Sequence, residues 1–376
     1  MKKAVLILAA SLLVISSIAQ KKALPREMLI PMKPEAWLYK EGKVSFVGHN
    51  GQPAIRLLQS ADVVTSRDLL FSNGIIEFDV EPLEPGFTSV YFRMQDMRET
   101  ECFYLRAQRA GNPAAADAVQ YAPFIRGVNL WDLLPQYQAA ADIFLNKPNH
   151  IKLVVSGLQL LAYVNDMQQP ALRVSRLEGN TKDGAIAFDG KVILSNVRVR
   201  PDQTEGLPPE AGFDLTLNDP RYIRNWQASA PLDFPAGKEP YQQNLPDSLV
   251  TWSTVIAERA GLINLTRLYG GSRELNRRLV WLKATLDVKD AMKRKMAFGF
   301  SDEVWVFLNG RMVFADKNLY LEGMRKEPDG RISIENATFD LNLKQGSNEL
   351  LIGVANNFYG WGIIARLASM DGVVVK

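Results

Sequence analysis

The sequence predicts an all-β protein made of two β-sandwich (jelly-roll) domains in tandem. Three observations carry this expectation. Short runs alternating in side-chain direction recur along most of the 376 residues, the period of half-buried strands. Long amphipathic helical patterns are nearly absent. A stretch rich in Pro, Gly and acids, Pro201–Gly212 (PDQTEGLPPEAG), lacks apolar period and separates two strand-rich halves. The expected division is residues 1–19 as an export signal, 20–201 as the first sandwich, 202–216 as a linker and 217–376 as the second. Each half carries its own strand set, so the two are expected to fold independently.

The chain opens with a charged n-region, Lys2 and Lys3, and an apolar h-region, Ala4–Ile15. Ser17-Ile18-Ala19 places small residues at the −3 and −1 positions, which predicts cleavage before Gln20. The apolar run is too short to span a membrane. The expectation is a secreted or periplasmic protein with no membrane span after cleavage.

In the first half, Val44–Val47 and Ala54–Leu58 flank the turn GHNGQP. Three consecutive strand-like runs follow: Phe71–Val80 (FSNGIIEFDV), Ser89–Asp96 (SVYFRMQD) and Glu101–Gln108 (ECFYLRAQ). Asn112–Val119 is alanine-rich but short and opened by Asn-Pro, so it reads as a loop. Gln120–Asp142 is aromatic and irregular and reads as a long insertion over the sandwich face; loops of that length in compact domains are often functional. Lys152–Val155 and Gln159–Val164 flank the hairpin signal Ser156-Gly157, and Ala185–Phe188 with Val192–Arg200 close the half.

The second half repeats the pattern with different strands. Leu279–Val288 alternates around Trp281, and Lys295–Phe300 leads into Val304–Leu308 and Arg311–Phe314 across Asn309-Gly310. Asn-Gly between alternating runs is a strong hairpin signal, because both positions take positive φ. Phe339–Leu343 and Glu349–Ala355 bracket the turn KQGSN.

Composition excludes several chemistries. The formal charge of +3, which drops by two when the signal lysines leave, gives no electrostatic reason for nucleic-acid binding. Only two histidines, His49 and His150, exist, and neither has metal-ligand spacing. No G-x-S-x-G elbow accompanies them. Cys102 has no cationic neighbour in sequence and reads as an inert strand thiol. No cofactor is expected, and no D-x-[DN]-x-[DN]-G loop places a structural calcium.

Candidate ligand-binding residues come from the strand faces. Alternation sets Tyr91, Arg93 and Gln95 on one face, and Tyr104, Arg106 and Gln108 on the same face of the next run. The opposite faces, Val90–Phe92–Met94 and Glu101–Phe103–Leu105, suit the inter-sheet core. A mid-strand arginine is costly to bury without partners, so this pattern points to a polar groove. Such a groove suits sugars: Arg and Gln bond hydroxyls while aromatic faces cover C–H surfaces. Gln120, Tyr121 and Trp131 would complete it from the insertion. The alternative is that both arginines brace the sheet through Glu77, Asp79 or Asp96. In the second half, NNFYGWG offers Tyr359 or Trp361 as a stacking platform, against a core role for Trp361. Glu77, Asp79 and Glu81 share one strand face, a spacing compatible with retaining glycosidase carboxylates or with a plain water-facing surface.

The three runs from Phe71 to Gln108 resemble the concave-face strands of the concanavalin A-like lectin/glucanase sandwich. Its glucanases carry nucleophile and acid on an E-x-D-x-(x)-E strand, where this chain has Glu101, Phe103 and Leu105. The resemblance therefore implies a glucanase scaffold without that chemistry. ILSNVRVRP is similar to the last strand of such modules. FSDEVWVFLNGRMVF, LNLKQGSNELLIGVAN and YGWGIIARL resemble the galactose-binding-like jelly roll, an accessory module of β-galactosidases. The signal, ending in Ala-Gln with lysines after it, resembles Bacteroidetes exports. Both fold families often hold a structural calcium ion. Together these resemblances imply non-catalytic glycan recognition. The first half is also similar to 3-keto-disaccharide hydrolase-type domains, which would imply a glycoside-cleaving enzyme with acid or base among Glu77, Asp79, Asp96 and Glu101, supported by Arg93 and Arg106. A structural or adhesion role without a small ligand is the third alternative.

Overall fold

The computed structural model describes residues 27–376 except 61, 236, 242–244, 272–276 and 321–322. The expected export signal lies outside the described residues. The chain is all-β, as its alternation predicts; the α-helix among the described residues is the short Leu265–Tyr269.

Two antiparallel sheets form the first sandwich. One runs in spatial order Leu172–Val174, Gln159–Val164, Asn149–Ser156, Gly74–Pro82, Val192–Pro201, Gln52–Leu57, Val44–His49. The other runs Val128–Asn129, Phe124–Ile125, Glu99–Arg106, Phe87–Asp96, Ala185–Asp189, Val63–Ser66, Trp37–Leu38. The inward residues of both, including Phe78, Phe92, Phe103 and Phe188, make one dry core. The insertion expected to be irregular adds edge strands, Val119–Tyr121 among them, to the second sheet.

The alternation breaks at one place that matters. Between Phe92 and Asp96 the pairing of Phe87–Asp96 with Glu99–Arg106 shifts register, and Arg93 takes φ +51°. A bulge of this kind re-aims every side chain beyond it. Arg93 and Gln95 therefore leave the face that Tyr91 occupies.

The second sandwich packs a broad sheet around Arg278–Val288, Gly346–Ala355 and Glu303–Leu308 against the four strands Leu262–Asn264, Gly362–Leu367, Met292–Ser301 and Ala337–Leu343. Its core holds Trp226, Phe298, Phe300 and Trp361. The hairpin at Asn309-Gly310 has both residues at positive φ, +52° and +76°, as the sequence demands.

No strand pairing joins the two sandwiches among the described residues, yet they share a core. Leu262, Ile332 and Ile364 of the second pack with Leu133 and Leu134 of the first. Arg267 donates to Asn180 Oδ1 at 2.6 Å and to the Glu178 carbonyl at 2.7 Å. The connecting segment is stitched down as well: Leu158 N donates to the Pro209 carbonyl and Gly212 N to the Ser175 carbonyl. Backbone bonds to the first sandwich hold this polar segment in place.

Candidate functional site

A cavity of about 540 Å³ opens where the outer face of the sheet carrying Phe87–Asp96 meets the second sandwich. Alternation builds its floor. Along Glu99–Arg106, the residues Glu101, Phe103 and Leu105 face inward, while Cys102, Tyr104 and Arg106 face the cavity. Tyr91 joins them from the adjacent strand, and Asp189 from the strand beyond. Trp131 and Phe124 come from the insertion, and Tyr320, Arg331, Phe358 and Tyr359 from the second half.

The polar floor is tightly bonded. Arg106 donates to Gln120 Oε1 at 2.6 Å and to the Asp117 carbonyl at 2.6 Å. Gln120 also accepts from the Tyr104 hydroxyl at 2.9 Å and donates to the Trp131 carbonyl at 2.8 Å. One buried amide thus fixes an arginine, a tyrosine and the tryptophan wall. The Arg106 guanidinium lies 5.1 Å from the Tyr104 ring centroid. Asp189 accepts from Tyr91 Oη at 2.6 Å and from Ser89 N at 3.1 Å. Burial pushes its carboxyl up to about 6, against these two bonds. Burial also raises the Cys102 thiol, in keeping with an inert sulfur.

The aromatic wall bridges both sandwiches. Trp131 meets Tyr320 edge-on at 4.8 Å and Tyr359 at 6.0 Å. Arg331 sits 5.1 Å from the Trp131 centroid on the same wall.

The structure brings together Tyr91, Tyr104, Arg106, Gln108, Trp131 and Tyr359, with Gln120 lying directly beneath the floor. It removes three candidates. Arg93 is turned away by the bulge and buried, donating to the Ser72 carbonyl at 2.7 Å and the Gly157 carbonyl at 2.9 Å. Tyr121 faces the opposite side from Gln120, as strand neighbours must, and its hydroxyl donates to Glu101 Oε2 at 2.6 Å inside the core. Trp361 is fully buried, its Nε1 donating to the Gly270 carbonyl.

The alternative carboxylates do not gather in this cavity, and only Glu77 and Asp79 meet, both on His150. Glu101 is sealed between the sheets, and burial pushes it up to about 7. Asp96 caps a turn, accepting from Arg98 N and Glu99 N. Glu77, Asp79 and Glu81 do share a face, on the other sheet. There Asp79 lies 2.7 Å from His150 Nδ1 and Glu81 lies 2.9 Å from His49 Nε2, while Glu77 pairs with His150 and Arg200. Among the described residues, no group of His, Cys, Asp and Glu could hold a metal ion.

Sequence reasoning missed Asp189, Asp117, Arg109, Tyr320, Asp329, Arg331 and Phe358. Asp189 was findable: it follows the outward Ala187 by two positions in an alternating strand. Tyr320 and Arg331 lie in irregular chain with no period to read.

No protein-family model matches this chain, and no curated protein does. Solved structures similar to part of it include the carbohydrate binding module CBM66 of Bacillus subtilis, at 16% identity and TM-score 0.33, covering 44% of this chain and 95% of that one. A Bacillus subtilis protein with a galectin-like fold matches at 14% identity and TM-score 0.31, over 46% of this chain and 91% of that one. A Caenorhabditis elegans galectin matches at 16% identity and TM-score 0.26, over 43% of this chain and 97% of that one.

Proposed function

We propose that this protein is a secreted or periplasmic glycan-binding protein that holds an oligosaccharide in the cavity between its two sandwiches. The observation that carries this reading is the composition of the cavity. Aromatic rings from both halves stand over a floor of fixed hydrogen-bonding groups, Arg106, Tyr104 and Asp189. That pairing of an apolar wall with a few directional polar groups is how concave sites take sugars. Its volume falls within the range of small-molecule sites. A glycan array probed with the mature chain tests it, and an array with no bound glycan overturns it. Export is tested by mass spectrometry of protein recovered from cells, with a chain beginning at Gln20 expected.

One observation favours a second reading, glycoside cleavage. Asp189 lies in the cavity lining, and burial raises its carboxyl to about 6, the direction a general acid needs. A reducing-sugar assay on every array hit separates the two. Turnover that is lost in Asp189→Asn supports the enzyme; binding without turnover supports the recognition protein.

A further inference from the structure

The basic side of the cavity has a feature that neutral sugars do not explain. Arg331 is 4% exposed, and its Nε has no hydrogen-bond partner. Its polar contacts to Asp329 are long, at 3.4 and 3.5 Å. Asp329 is itself shared with Arg325, which lies closer, at 3.1 Å. Opposite stands a second shared carboxylate. Asp117 lies 2.9 Å from Arg109 and 4.0 Å from Arg106. Asp329 and Asp117 thus each serve two guanidiniums, while the third carboxylate of the lining, Asp189, is held by Tyr91 and Ser89. Arg106 and Arg331 line the same cavity, and burial first, then the like charge of Arg331, disfavour the Arg106 cation. Burying an arginine with an unused donor is costly, and facing it with a like charge adds to the cost. An oxyanion between the two would offset the like charges, because guanidinium groups bind carboxylate and sulfate with short, charge-assisted bonds.

We infer that the cavity selects an anionic sugar residue, a uronate or a sulfate ester, whose charged oxygens seat between Arg106 and Arg331. This rests on the glycan-binding reading above. The aromatic wall covers the sugar ring, and Arg331, placed beside Trp131, meets the ring's charged substituent. Neutral sugars leave the two guanidiniums without a counter-charge and bind less well.

The test uses the mature full-length chain and matched oligosaccharide sets: neutral, uronate-bearing and sulfated. Affinities are measured by calorimetry at constant ionic strength. The expected result is at least about a tenfold preference for one anionic set over its neutral match, weakening as salt rises. Preference for the uronate or for the sulfated set identifies the source of the anion. In Arg331→Gln the ratio of anionic to neutral affinity should collapse towards one. Arg331→Lys, which keeps the charge and loses the fork, should restore part of it. Thermal melting of each variant shows whether it has folded, so a misfolded Arg331→Gln leaves the wild-type comparison as the deciding measurement. Equal affinity for neutral and anionic sets overturns this inference and leaves glycan binding standing. Binding to no set overturns both.

Discussion

The carboxylate of Asp132 accepts a hydrogen bond from the amide of Gly360 at 3.0 Å, joining the insertion of the first sandwich to the last loop of the second. Asp302 holds the same loop from its own side, accepting from the Phe358 amide at 2.8 Å. Phe358 and Tyr359, which line the cavity, are therefore carried on a backbone segment gripped by two buried carboxyls.

Gly360 leaves no room for a side chain. A Cβ there would meet Asp132 Oδ1 and Leu133 Cγ, each at 2.8 Å. Gly360→Val should cost about 1–3 kcal/mol of stability, as overpacked positions do. It should also weaken glycan binding by displacing the aromatic loop. Thermal melting and calorimetry on one variant check both. Unchanged affinity would mean that the second half takes no part in the site.

Stability should depend on pH in an unusual direction. Burial raises Glu101 and Asp302 to about 7, well above their unfolded values. A raised carboxyl contributes stability that is complete below its unfolded pKa and is lost as pH rises through its folded one. The melting temperature should therefore fall between about pH 4 and pH 7. For Glu101 the full effect is on the order of 3 kcal/mol. Glu101→Gln keeps an acceptor for the Tyr121 hydroxyl and has no proton to lose, so its melting curve should be flatter across that window. Glycan affinity should be unaffected, because the residue is sealed between the sheets. A flat profile in the wild type would refute the account.

Under the proposed function Arg106 is both brace and ligand group, so Arg106→Ala should report two losses together. Its bonds to Gln120 and the Asp117 carbonyl go, and with them the rigidity of the floor. Charge-assisted bonds are typically worth about 1.5–3 kcal/mol. We expect a lower melting temperature and an affinity for glycan weaker by one to two decades in the folded fraction. A melting shift with intact affinity would make Arg106 a brace alone.

The two sandwiches should unfold in one transition. Leu262, Ile332 and Ile364 would be exposed to water by separation from Leu133 and Leu134. Calorimetric scanning with limited proteolysis checks this. Two resolved transitions, with a cut near Pro201–Gly212, would show that the shared core is energetically minor.

The sequence by itself determined the class of fold and most strand positions. Period-2 alternation states which side chains point together, and Asn309-Gly310 states where a strand must reverse, because both are local consequences of backbone geometry. The same local rule placed Tyr91, Tyr104 and Arg106 on one face, whereas Gln108 reaches the cavity from the 3-10 turn Ala107–Arg109 that ends the strand. The rule failed at Arg93, where a bulge flips the face and leaves the residue pattern itself unchanged. It failed again at Tyr121, one position from Gln120 in a strand whose sides the insertion's composition did not reveal.

Only the tertiary structure decided where the site ends. Tyr320, Arg331, Phe358 and Tyr359 reach the cavity because the second sandwich docks on the first. That docking depends on non-local packing, on Leu262 and Ile332 against Leu133 and on Asp132 against Gly360. No periodicity encodes contacts between residues more than a hundred positions apart. The placement of Arg106 and Arg331 in one shared cavity is the product of that packing.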